Sequence, residues 1–172
     1  AAGESELIFD GGTGLRLLGR ELAAKSKGPN NTFHMFFSHV HWDHIQGFPF
    51  FGPAFNSKNV IHMYGGAHVS GRVETALRGQ METPSFPLQL SELPAEMQFH
   101  DLADGARLTV EKNGGPEGVV VRAASGVHPG GVLAYRVEFR GRSVVYMTDH
   151  EPDGEQPPGI VELTRGADLL IY

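Results

Sequence analysis

The stretch SHVHWDHIQGFPFF, residues 38–51, decides how the chain is read. It places His39, His41, Asp43 and His44 within six positions, after the apolar run 33–37 and before the apolar run 48–51. Packing alone does not account for four such side chains at the end of a buried strand, because buried imidazole and carboxylate groups need partners. Side chains two apart on a strand share a face, so His39 and His41 are expected to point together at one cation. If the chain then turns into a helix, Asp43 and His44 fall in its first turn beside them. Two cations about 3.5–4 Å apart would be served by this arrangement, and such a pair activates water while polarising a phosphoryl or carbonyl oxygen. The mixture of imidazole and carboxylate suits zinc, manganese or iron.

Working outward, Leu7, Ile8 and Phe9 read as a short buried strand ending on Asp10. GGTG (11–14) then supplies a tight turn into a helix with Leu15, Leu18 and Leu22 at helical spacing. Residues 25–31 read as a loop from their Gly, Pro and Asn content. VIHMYGG (60–66) is expected to be a strand, and SGRVETALRGQM (70–81) a helix with Val73, Ala76, Leu77 and Met81 on one face. Strand alternating with helix is an α/β rhythm. Pro84, Pro87 and Pro94 break regular structure across 84–94, which reads as a lid or specificity loop.

From Leu108 onward the pattern changes to period two, with Leu133, Tyr135, Val137 and Phe139 alternating, as in antiparallel strands. RGRS (140–143) reads as a hairpin turn into SVVYMTD, which ends on Asp149. A polar loop over 151–159, a helix over 160–165 and a closing strand in ADLLIY complete the pattern. His34, His62, His68 and His100 are read as structural or solvated histidines.

Composition sets bounds on function. The 172 residues are about one domain, and the whole of 1–172 is read as a single one. Lys and Arg number 14 against 20 Asp and Glu, a formal net charge of −6, with no basic block, so a long nucleic acid is not expected as ligand. A small anion held through cations remains compatible. The chain has no cysteine, which removes disulfides, thiolate metal sites and cysteine nucleophiles together. No apolar run approaches the ~20 residues that span a bilayer and no leader pattern opens the chain, so a cytoplasmic location without membrane contact is expected.

HVHWDH resembles the His-x-His-x-Asp-His signature of the metallo-β-lactamase fold superfamily, and the resemblance covers most of the chain. Asp10 with GGTG is similar to that superfamily's early Asp-x-Gly-Thr-Gly turn, whose aspartate supports the metal site from beneath. His128, in GVHPGG, matches the third histidine on the first metal, and Asp149, in YMTD, matches the carboxylate that bridges the two metals. The resemblance implies an αβ/βα sandwich: two mixed β-sheets flanked by helices, here incomplete. It assigns His39, His41 and His128 to a first divalent ion and Asp43, His44 and Asp149 to a second, zinc above manganese or iron, with a bridging water as nucleophile. Asp43 also inherits an acid/base role.

Within the superfamily, class B1-type β-lactamases use a cysteine on the second metal, and flavodiiron-type reductases carry glutamate where this chain has His41. HPGGVLAYRVEF running straight into a strand, with YMTDHE, looks like the ribonuclease Z and cyclic-nucleotide phosphodiesterase-like group rather than thiolester hydrolases of the glyoxalase II type. The resemblance therefore implies a dinuclear phosphodiesterase acting on a small diester such as a cyclic nucleotide, in a homodimer. The alternatives are a thiolester hydrolase and a catalytically silent metal-binding fragment. The family pattern has a further histidine on the second metal and an earlier strand or hairpin, so the chain is read as a trimmed version of a longer protein. His150, next to Asp149 in sequence, is a poor substitute ligand because neighbouring strand residues point to opposite faces.

Overall fold

A computed structural model describes residues 5–25, 31–67, 72–111 and 118–172. Nine strands form among these residues: β1 (Ser5–Phe9), β2 (Thr32–Phe36), β3 (Val60–Gly66), β4 (Glu96–Leu102), β5 (Arg107–Val110), β6 (Val119–Gly126), β7 (Val132–Phe139), β8 (Arg142–Tyr146) and β9 (Leu169–Ile171). Four helices join them: α1 (Leu15–Lys25), α2 (Trp42–Ile45), α3 (Val73–Gln80) and α4 (Pro158–Thr164). The loop expected at 25–31 falls mostly on residues 26–30, outside the described residues, as do His68 and the start of the segment 70–81. No helix among the described residues is long and apolar enough to cross a membrane.

The strands divide into two sheets in chain order. β1, β2, β3 and β4 are parallel neighbours in that order, and β5 to β8 form an antiparallel meander whose last strand pairs parallel with β9. The meander turns from β7 to β8 at Arg140 and Gly141, both at positive φ, as a two-residue hairpin requires.

Alternation along each strand then fixes the layers. Phe33, Met35, Ile61 and Met63 face outward onto Leu15, Leu77 and the aromatic run Phe48 and Phe51. Phe36, Tyr64, Val121, Leu133 and Tyr135 face inward and fill the space between the sheets. Ala124, Ala134 and Val145 receive Ile160 and Leu163 of α4 on the far side. The result is the expected two-sheet sandwich with helices on both outer faces, except that among the described residues the first sheet is parallel throughout and only the second is mixed.

Three expectations are refined by the structure. β4 is an addition to the expected strands: its sequence EMQFHDL carries only Met97 and Phe99 as apolar residues before its final leucine, and these pack with the outer cluster while Gln98 and His100 alternate with them. The segment 84–94 is irregular at first, but a 3-10 turn at Leu90–Glu92, closed by a capping box between Gln89 and Glu92, buries Leu90 and Leu93. Its second half is therefore core rather than lid. Finally, β2 stops at Phe36, so His39 and His41 lie beyond the strand; the cause of their convergence is the loop that leads to His41, the N-cap of α2.

Candidate metal centre

The C-terminal ends of parallel strands are where a mostly parallel sheet presents side chains to ligands, and β1 and β2 end beneath the histidine cluster. Asp10 follows β1 in the left-handed region, φ 57°, an uncommon conformation for a residue other than glycine. The reason is its hydrogen bonding. Its carboxylate accepts the Ser38 N–H (2.7 Å) and hydroxyl (2.8 Å), the Tyr146 hydroxyl (2.7 Å) and the Nδ1–H of His44 (2.8 Å). Asp10 thus sits beside the cluster, bonded directly to His44 and through the Ser38 hydroxyl to His39.

The glycines of the following turn are required by close approach. A Cβ on Gly12 would lie 2.6 Å from the carbonyl oxygen of Asp43, and one on Gly47 would lie 2.0 Å from that of Gly12. The Gly11 N–H donates to His44 O (2.6 Å) and the Gly47 N–H to Gly11 O (2.7 Å). This interlock of backbones fixes α2, and hence Asp43 and His44, on the Asp10 turn.

The second sheet delivers the remaining groups. His128 lies in the turn between β6 and β7, and Asp149 follows β8, again at positive φ (59°). Bonds across the sandwich hold the two sheets in register at this end: the buried Tyr135 hydroxyl donates to Phe37 O (2.6 Å) and the Leu133 N–H to Ser38 O (2.8 Å).

His39 Nε2 lies 2.9 Å from His41 Nδ1, and His128 Nε2 lies 3.1 Å from the same atom. Outer partners fix the tautomers. The Ser38 hydroxyl donates to Asp10 and so accepts from His39 Nδ1 (3.0 Å), while His128 Nδ1 donates to Glu151 Oε1 (2.7 Å). Both Nε2 atoms therefore turn lone pairs towards His41 Nδ1, which has at most one proton to offer. Burial, followed by the neighbouring His44 and His41, lowers the His39 pKa to about 4, keeping the ring neutral. Three such nitrogens at this spacing are near the roughly 3.3 Å separation of nitrogens at 2.0–2.1 Å around a tetrahedral zinc. The donor set fits a divalent cation.

A second group shares His39. Ligand atoms of His39, His44 and Asp149 all lie within 4.8 Å of one another, as do those of His39, His41 and His128. His44 Nε2 is 3.2 Å from Asp149 Oδ2 and 3.4 Å from Asp43 Oδ2. Its hydrogen bond to Asp10, opposed by burial and assisted by the three carboxylates, raises the His44 pKa. Asp43 is the most exposed member, with 71% of its side chain accessible. All six residues singled out in the sequence thus come to one place.

Other histidines lie elsewhere. His150 is buried and directed away from the cluster, with both ring nitrogens engaged by protein groups. His34, His62 and His100 are structural and form one cluster: the buried His34 stacks on the half-buried His62 at 4.7 Å between the sheets, and His62 Nδ1 meets His100 Nε2 at 3.1 Å. Glu151, bonded to His128, is a residue that the motif reading misses; its place two residues after Asp149 is the signal that sequence offers.

The family model of the beta-lactamase superfamily domain matches residues 6–172. Among solved structures, the metallo-beta-lactamase fold protein YhfI from Bacillus subtilis is similar with a TM-score of 0.59 at 20% identity, over 95% of this chain and 56% of its own. The short form of human tRNase Z gives 0.60 at 22% identity, over 96% and 66%. Zn(2+)-bound PqqB from Methylobacterium extorquens gives 0.62 at 10% identity, over 95% and 54%. At these identities the likeness is one of fold, and the chain spans between 54% and 66% of these structures. No curated protein matches the chain in sequence.

Proposed function

Because this chain belongs to the beta-lactamase superfamily, we propose that it is a metal-dependent hydrolase of small phosphodiesters, a cyclic nucleotide being the type of substrate, that works with two divalent cations. The observation that carries the reading is the meeting of His39, His41 and His128 with His44 and Asp149 in two groups that share His39. Bound cations supply water activation and neutralise charge on phosphoryl oxygens. His39, His41 and His128 would hold the first, and His44 and Asp149 the second, joined by Asp43, whose Oδ2 lies 3.4 Å from His44 Nε2; zinc is the ion proposed, with manganese or iron as alternatives that the same imidazole and carboxylate donors suit.

The chain's own residues do the rest. Glu151 and Ser38 orient the ligand rings of His128 and His39, and Asp10 that of His44, so the ligands are preset. Asp43, the exposed carboxylate beside His44, would act as the acid/base group, taking the proton released by the attacking water and delivering it to the leaving alkoxide. An acidic chain with a net charge of −6 favours a compact diester over a long RNA. On this reading residues 1–172 act as one catalytic domain, and the family resemblance adds a homodimer.

The test is metal analysis combined with hydrolysis of bis(p-nitrophenyl) phosphate. Two equivalents of zinc and turnover that disappears in His41→Ala are expected. Turnover of S-lactoylglutathione without diester cleavage would instead establish a thiolester hydrolase, and metal uptake without either activity a binding domain.

A further inference from the structure

The turn that carries His128 has little apolar packing of its own: Val127, the residue before it, is 41% exposed. What fixes it is polar. The Val127 N–H donates to His150 Nδ1 (2.9 Å), and its carbonyl accepts the N–H of Glu151 (2.9 Å). Both backbone groups of Val127 are thus held by consecutive residues that directly follow Asp149, while the Glu151 side chain reaches His128 Nδ1 at 2.7 Å.

His150 is built for this contact. It is 2% exposed, and since its Nδ1 accepts, its neutral ring carries hydrogen on Nε2, which donates to Gln156 Oε1 (2.7 Å). Neither nitrogen is left for a cation. The ring lies so close to the turn that a Cβ on Gly126 would come within 2.8 Å of Nδ1. The Tyr172 hydroxyl holds the other side, donating to His150 O (2.5 Å).

We propose that His150 is a positioning residue of the metal centre: it fixes the distance between the His128 turn and the Asp149 turn through Val127, without being a ligand. The proposal rests on His39, His41 and His128 binding a cation. One side of the centre is then set by a three-residue strip, in which Asp149 faces the site, His150 holds the Val127 amide and Glu151 holds both the Val127 carbonyl and the ligand ring.

Cobalt binding tests this independently of activity. Co2+ is titrated into the wild type, His150→Leu and His150→Asn, following the visible ligand-field bands, with circular dichroism to verify folding. Leu fills the space but cannot accept the Val127 N–H; Asn places Oδ1 where Nδ1 was. His150→Leu is expected to weaken Co2+ binding about ten- to hundredfold and shift the bands, and His150→Asn to restore both to near wild type. A wild-type affinity and spectrum in a folded His150→Leu protein would overturn the proposal, as would equal defects in Leu and Asn variants. If the wild type takes up no Co2+, the metal-centre reading fails and this proposal with it.

Discussion

Asp10 concentrates more of the site's order than any ligand, since one carboxylate receives donors from Ser38, His44 and Tyr146. Asp10→Asn replaces an acceptor oxygen by a donor facing other donors, so a loss of roughly 2–4 kcal/mol in stability is expected from denaturant unfolding, together with weaker zinc binding. His34 offers a separate test, since it packs with His62, Tyr64 and His100 and is not part of the candidate metal centre. Burial, then its neighbours His62 and His100, lowers its pKa from 6.5 to about 4. Between those values the unfolded chain binds the extra proton, so stability falls as pH drops from about 6.5 towards 4. His34→Phe, which keeps a ring against His62, should reduce proton uptake on unfolding by up to about one over that window, measured as a flatter acid limb of stability against pH. The HVHWDH cluster is plain in the sequence because four ligand types crowd six positions. The stack of His34 on His62 is hidden there, because it depends on which strands become neighbours.

At the scale of elements, close backbone approach is what sets α2. Gly47→Ala drives a methyl group into the Gly12 carbonyl and should cost about 1–3 kcal/mol or more, with α2 displaced and metal affinity reduced. Gly79, inside α3, is the contrast, since a Cβ added there would meet nothing within 4 Å: Gly79→Ala should raise stability by about 0.5–1 kcal/mol in the same unfolding experiment. Most elements are legible from period and punctuation, including the turn at 140–143 and the helix begun near 160. β4 is not, since Gln98 and His100 at its inward positions hide the alternation of Met97 with Phe99. Strand alternation predicts the pairing of His39 with His41, yet the pairing arises in the loop after Phe36, where hydrogen bonds to Ser38 and packing of α2 take over from the pleat.

At the scale of the molecule, the centre draws on both sheets: His39, His41, Asp43 and His44 follow the first, His128 and Asp149 belong to the second. A cation held by both groups binds only the assembled sandwich. Zinc at about one hundred times its dissociation constant should therefore add about 2.7 kcal/mol, which for a chain of this size raises the melting temperature by roughly 5–10 °C. Calorimetry with and without chelator measures it, and His128→Ala should abolish most of the increment. The convergence of these distant segments is readable only through resemblance to a family, because no local periodicity encodes contacts between residues so far apart in sequence. The division of the two sheets at residues 103–106 also has a temporal side. A ribosome releases the HVHWDH segment before GVHPGG and YMTD, so the two halves of the candidate site can meet only once the final third of the chain has emerged and docked.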